Sequence, residues 1–227
     1  MQQQAARLRA CFCKAVFLVS EKIDFNLYLI TDRKLFKAGC SMYVAIETAL
    51  EAGIKAVQLR EKDLPIREIL DMAYWMRELT DEFNAKLFIN DRVDVAMAVN
   101  ADGVHLTQNS MPAYAVRKIS GDKFIIGQST HNIEEALKAQ EEGVDFITLG
   151  PVFKTPSKMQ YGEPIGIEAI KNAKKSVSIP LFAIGGIKPE NVQKVRSAGA
   201  DGIALISAIL AAEDKRQISE EILRLLK

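Results

Sequence analysis

Three cations of this 227-residue chain could act together: Arg60 and Lys62, at and just beyond the end of a short apolar run in Gln58-Leu59-Arg60-Glu61-Lys62, and Lys158, from a different loop, in Thr155-Pro156-Ser157-Lys158. Brought to one place they suit a multiply charged anion the size of a diphosphate, because guanidinium and ammonium groups give phosphate oxygens strong, charge-assisted bonds. Each cation taken alone reads equally well as a solvated side chain paired with Glu61 or Asp63. Their shared location favours the anion. Asp91, in Asn90-Asp91-Arg92-Val93-Asp94-Val95-Ala96, has two readings of similar weight. It is either the N-cap of the helix that follows or a carboxylate holding Mg²⁺ against a diphosphate, since Mg²⁺ takes carboxylate, water and phosphate oxygens.

A second anion site is suggested by Ile184-Gly185-Gly186-Ile187 and by Leu205-Ile206-Ser207-Ala208. Glycine amides and a helix N-terminus expose N–H groups and a favourable dipole to a phosphate monoester. Ser129 and His131 close another apolar run, and His131 at a helix start is a candidate acid or base. His105 lies within a strand-like run and reads as a hydrogen-bonded core residue. Residues 150–164 have no amphipathic period and are long for a connection, which suits a lid or ligand-contact loop bearing Thr155, Ser157 and Lys158. No Ser-His or Cys-His nucleophile pair is evident. Tyr74, Trp75 and Met76 are read as packing residues of a helix.

The elements that must position these groups follow one grammar: a helical stretch ends in Gly or Asn, then a short apolar run ends in a polar residue. Four copies are plain, beginning at Gly53, Asn100, Gly143 and Gly199. The same pattern predicts eight strands, at Leu27–Thr31, Ala56–Arg60, Lys86–Asn90, Gly103–Leu106, Phe124–Ser129, Phe146–Leu149, Leu181–Ile184 and Gly202–Leu205. Helical patterns between them include Ser41–Glu51, Pro65–Phe83, Asn132–Glu142 and Pro189–Ala198. Eight alternating β and α units without a linker or composition break predict a single (β/α)₈ TIM barrel, an α/β fold, over residues 25–227. Thr31-Asp32-Arg33 is not the glycine fingerprint that an open dinucleotide-binding sheet would carry. In such a barrel the residues leaving the C-terminal strand ends share one mouth, which is what brings the cations together.

Composition narrows the partners. Lys plus Arg number 30 against 29 Asp plus Glu, so no basic field points to nucleic acid or an anionic membrane. No apolar run is long enough to span a bilayer. Residues 1–24 read as an extension or extra helix outside the barrel; Lys14 interrupts their apolar stretch and no small-residue cleavage site follows. Three cysteines, Cys11, Cys13 and Cys40, are too few for a disulfide framework and suit reduced thiols in a cytoplasm. A homo-oligomer is compatible with all of this.

From about Leu27 to Leu210 the chain resembles the thiamine-phosphate synthase and thiazole tautomerase superfamily. The phrases that carry the likeness are Gln58 to Lys62, Asn90 to Ala96, Gly103-Val104-His105-Leu106, Thr155 to Lys158 and Ile184 to Ile187. The resemblance implies a transferase that joins a hydroxymethylpyrimidine diphosphate to a thiazole phosphate, with Mg²⁺ as cofactor. It implies that Gln58, Arg60, Lys62, Asn90, Ser129 and Lys158 hold the pyrimidine diphosphate and that Asp91 meets the metal. Thr155, Ser157, Gly186, Ile206 and Ser207 would meet the thiazole phosphate, and Arg60, Lys158, Ser129 and His131 would serve the chemistry. Two residues depart from the synthase pattern. Ser110 stands where a second metal carboxylate is usual, and Ser157 stands for Thr. Leu106–Pro112 and Tyr161–Pro164 look closer to the tautomerase branch, which implies a metal-independent isomerase using His131. A non-catalytic barrel that binds thiazole or thiamine phosphate is the third reading.

Overall fold

The computed structural model describes residues 22–36, 41–155 and 163–227. Eight parallel strands, β1 (Leu27–Ile30), β2 (Ala56–Leu59), β3 (Lys86–Asn90), β4 (Gly103–Leu106), β5 (Ile125–Thr130), β6 (Phe146–Leu149), β7 (Leu181–Ile184) and β8 (Gly202–Leu205), follow one another around a closed barrel. Between them lie α1 (Met42–Glu51), α2 (Ile66–Glu82), α3 (Val93–Ala98), α4 (Ala113–Ser120), α5 (Ile133–Glu141), α6 (Gly166–Ser176) and α7 (Pro189–Ser197). A single turn of helix, α8 (Ser207–Leu210), and α9 (Lys215–Leu225) follow β8. The expected strands appear in place with shifts of one residue at β1, β2 and β5. Thr31 still donates its amide to the Gln58 carbonyl at 2.9 Å, so the ladder reaches one residue past β1. The reading of residues 1–24 as an extension falls almost wholly outside the described residues. Among the described residues Phe25 is the first that is buried in the core.

Two apolar layers hold the barrel. The outer one lies between strands and helices and includes Leu29, Val57, Leu87, Val104, Ile126, Ile147 and Leu181. The inner one is an aromatic floor of Phe25, Tyr28, Phe88, Phe146 and Phe182, with ring centroids 5.2–6.4 Å apart in mostly edge-on arrangements, the geometry aromatic quadrupoles prefer. Glycines make room for it. In register, Phe88 pairs with Gly103, Phe146 with Gly127 and Phe182 with Gly202, and a Cβ on any of the three would lie 2.4–2.7 Å from the partner ring. The large rings therefore fill the bottom of the barrel and leave space above them.

The helix-to-strand phrase also contains a brace that its apolar pattern did not announce. Asp102, Asp145 and Asp201, each immediately before an even-numbered strand, accept the backbone N–H of Leu87, Ile126 and Leu181 from the preceding strand at 2.7–2.8 Å. Each also pairs with a cation from the helix that leads into that neighbouring strand: Arg77 of α2, Arg117 of α4 and Lys174 of α6, at 2.7–2.8 Å. One carboxylate thus ties two strands and a helix together at the end of the barrel away from the mouth.

Trp75 and Met76 pack as expected, Trp75 against Tyr43 with centroids 4.5 Å apart and Met76 fully buried. Tyr74 does not. It is about half exposed, and its hydroxyl reaches the Ala98 carbonyl at 3.5 Å.

Candidate active site

Side chains two apart on a strand share a face, so the residues above the aromatic floor point into the barrel as well. On five consecutive strands these are polar: Gln58, Asn90, His105, Ser129 and Thr148. Gln58 Nε2 donates to Asn90 Oδ1 at 3.1 Å, His105 Nε2 pairs with Ser129 Oγ across 3.0 Å, and Thr148 Oγ1 donates to Ser129 Oγ at 3.5 Å. The remaining inner wall is apolar, with Ile30, Ile184, Ala204 and Ile206. A polar arc faces an apolar wall, which suits an aromatic ring edged with hydrogen-bonding groups. Gln58 Oε1 and His105 Nδ1 are buried without a hydrogen-bond partner. Such atoms cost about 1–3 kcal/mol each; Gln58 Oε1 is one that a polar ligand in the arc would satisfy, whereas His105 Nδ1 lies against Gly127 in the aromatic floor.

The structure brings together a Ser-His pair that sequence reading did not expect, but not an activated nucleophile. Burial first, and the positive Arg60 second, hold the His105 imidazole at a pKa of about 3. An imidazole so weakly basic is a poor proton acceptor near neutrality, and its Nδ1 has no carboxylate to orient it. His105 is the core residue its sequence position suggests, with Ser129 held on its mouth side.

Above the arc, Arg60 extends from the end of β2 and is half-buried. The carboxylates next to it in sequence are engaged elsewhere. Asp63 contacts Arg33 at 3.1 Å and Lys34 at 3.0 Å, and these two contacts hold its carboxyl below the usual carboxylate range. Glu61 is buried and bonds to Thr31 Oγ1 and the Arg33 amide; burial pushes its pKa up, against the effect of those bonds. Among the described residues the Arg60 guanidinium forms no ion pair. Lys62 is exposed beside it.

Asp91 is not a helix cap. The cap position of α3 is Arg92, without a capping side-chain bond, and Asp91 takes the left-handed conformation at φ 64°. That turn leaves its exposed carboxylate without a hydrogen bond among the described residues. Ser110 is otherwise occupied: its Oγ accepts the Thr107 amide at 2.8 Å and meets Thr107 Oγ1 at 3.0 Å, closing the turn after β4. His131 is half exposed on the rim. Glu135 Oε2 receives its amide at 2.8 Å and its Nδ1 at 3.0 Å, and also Gln108 Nε2 at 2.9 Å. Glu135 thereby joins the loops after β4 and β5.

The glycine turn and helix start expected to meet a phosphate take form after β7 and β8. Gly185 and Gly186 have φ of 97° and 66°, and a Cβ on Gly186 would come within 2.7 Å of Phe153 Cβ and 2.9 Å of the Lys154 carbonyl. Only glycine fits that approach. Val152 and Phe153 donate their amides to the Ile184 and Gly185 carbonyls at 2.9 and 3.0 Å, fastening the loop after β6 to the cradle. Asn191 bridges the Gly186 carbonyl and the Lys188 amide. Ser207 opens α8, whose first amides have no intrahelical acceptor, and Ile206 precedes it on the inner wall. Thr155 is half-buried at the base of the loop. Ser157 and Lys158 lie outside the described residues.

Sequence reading missed Thr31, Glu61, Glu135 and Thr148. For Thr148 a signal existed, since it stands two residues after the inward Phe146. The other three act through partners about 30 residues or four residues away, and only the fold pairs them.

A closed (β/α)₈ barrel with a glycine-lined cradle and a half-buried arginine at its mouth defines a class: barrels that act on small phosphorylated molecules. Residues 27–209 match the family model described as thiamine monophosphate synthase, and the chain belongs to that family. A Geobacter sulfurreducens protein is 51% identical over 205 residues, covering 90% of this chain and 96% of its own. The thiamine-phosphate synthase of Clostridium tetani is 45% identical over 89% of this chain and 96% of its own. The solved structure of a thiamine phosphate pyrophosphorylase from Pyrococcus furiosus superposes with a TM-score of 0.82 at 40% identity, over 90% of this chain and 96% of that one.

Proposed function

We infer that the chain is a thiamine-phosphate synthase: it joins hydroxymethylpyrimidine diphosphate to thiazole phosphate, giving thiamine phosphate and diphosphate. The observation that carries the reading is the Arg60 guanidinium, set at the mouth above a polar arc while the β1 loop engages both nearby carboxylates. In the reaction a C–O bond to diphosphate breaks and a C–N bond to the thiazole nitrogen forms. The aminopyrimidine carries the positive charge left on its methylene, so no side-chain nucleophile is needed, consistent with the weakly basic His105. Arg60, with Lys62 and Lys158, stabilises the negative charge that builds on the departing diphosphate. Gln58, Asn90 and Ser129 orient the pyrimidine. Gly186, Ile206 and Ser207, with Thr155 and Ser157, hold the thiazole phosphate.

Mg²⁺ belongs to this reading. Among the described residues no three His, Cys, Asp or Glu side chains gather as a metal cage, and Mg²⁺ at a diphosphate needs only one or two carboxylates with water and phosphate oxygens. Asp91, exposed at the end of β3 and without a side-chain hydrogen bond among the described residues, is the residue that would hold it. When bound, the ion supplies positive charge to the leaving group. Among the described residues no helix is long and apolar enough to cross a membrane, and we place the enzyme in the cytoplasm on its reduced-thiol composition.

The test is to incubate the protein with both substrates and Mg²⁺ and follow thiamine phosphate and diphosphate together. Equal amounts of each are expected. Absence of product at every Mg²⁺ concentration removes the synthase, and metal-independent isomerisation of a carboxythiazole phosphate, abolished by His131→Ala, would put the tautomerase in its place.

A further inference from the structure

We propose that Thr31 and Glu61 form a latch that positions Arg60, making them positioning residues for the diphosphate half of the mouth. Arg60 stands one residue beyond β2, where the strand ladder ends. Its amide is held by Thr31 Oγ1 at 2.9 Å. The same hydroxyl donates to Glu61 Oε1 at 2.9 Å, so its proton faces Glu61 and a lone pair faces Arg60. Thr31 is fully buried, which leaves no water to compete for either bond.

Glu61 completes the device. Its carboxylate is buried and receives the Arg33 amide at 3.1 and 3.3 Å, with Arg33 Nη1 at 3.9 Å. Successive side chains of an extended segment face opposite ways, so anchoring Glu61 toward Thr31 and Arg33 turns Arg60 to the side of Gln58, the inward side. Burying a carboxylate is expensive unless it is well bonded. Here the bonds come from the loop after β1, and that loop also engages Asp63 through Arg33 and Lys34. The latch therefore fixes the direction of Arg60 and keeps its acidic sequence neighbours off its guanidinium.

The proposal rests on the reading that Arg60 meets the diphosphate, and the experiment separates the two. Binding of inorganic diphosphate in the presence of Mg²⁺ is measured by calorimetry on the full chain and on Arg60→Ala, Thr31→Ala and Thr31→Ser, with thermal unfolding of each. Ala and Ser both lose the threonine methyl, and only Ala loses the hydroxyl. Thr31→Ala should weaken binding at least about tenfold, as Arg60→Ala does, the scale of one charge-assisted contact. Thr31→Ser should restore it. Under turnover, Thr31→Ala should raise KM for the pyrimidine diphosphate and leave KM for the thiazole phosphate in place. Wild-type binding by Thr31→Ala beside weak binding by Arg60→Ala overturns the latch alone, and so does an equal rise in both KM values. Wild-type binding by Arg60→Ala overturns the underlying reading. Should Thr31→Ala fail to fold, Glu61→Ala is compared with Glu61→Gln, which keeps an acceptor for Thr31; equal binding by the two overturns the latch.

Discussion

His105 and Ser129 share one hydrogen bond 3.0 Å long, and what they can do with it is decided by burial. The imidazole pKa is lowered from 6.5 to about 3, so the folded state keeps the ring neutral while the unfolded chain protonates it below pH 6.5. The unfolded state then binds more protons, and the stability contributed by neutral His105, complete above pH 6.5, is lost as pH falls toward 3. Between pH 7 and 5.5 the loss amounts to about 1 kcal/mol. Urea unfolding at the two pH values should show it in the wild type and not in His105→Gln; equal losses would mean that another group carries the acid sensitivity. Ser110 makes the second residue-scale case. Its hydroxyl closes a turn on Thr107, a bond that one oxygen of an aspartate can replace while the other faces the mouth. Ser110→Asp should lower the Mg²⁺ concentration for half-maximal rate and tighten Mg²⁺ binding measured with inorganic diphosphate. Unchanged values would place Ser110 away from the metal.

The strands were legible as elements because each is a short apolar run between a helix-ending Gly or Asn and a polar residue. What those runs do not reveal is how neighbouring strands interlock. Gly103, Gly127 and Gly202 make room for rings on adjacent strands, and that pairing depends on register. Likewise Asp102, Asp145 and Asp201 look like polar interruptions of a repeat until the fold shows each bonded to the strand before it. The brace at Asp145 is the most buried, with side-chain exposure of 5% against 43% for Asp201. Asp145→Ala leaves the buried Ile126 amide without its acceptor and Arg117 with carbonyl partners only, and should cost about 2–3 kcal/mol. Asp201→Ala, with water to take the place of the carboxylate, should cost about 1 kcal/mol. Chemical denaturation checks the order, and equal costs would contradict the account of burial.

Across the whole molecule the barrel and most of the mouth could be read from residue order, since the C-terminal end of every strand must open on the same side. The partition of the mouth could not. It depends on which carboxylates the loop after β1 draws away from Arg60 and on which inner walls are polar, and those are contacts between strands rather than patterns along one. On the proposed reading, the Arg60 end of the polar arc takes the pyrimidine diphosphate and the glycine turn after β7, with the start of α8, takes the thiazole phosphate. Steady-state kinetics with each substrate varied in turn, on the wild type, Arg60→Ala and Gly186→Ala, tests that division most directly. Arg60→Ala should raise KM for the pyrimidine diphosphate at least about tenfold with little change for the thiazole phosphate, and Gly186→Ala should do the reverse. Both variants shifting the same KM, or each shifting both alike, would contradict it.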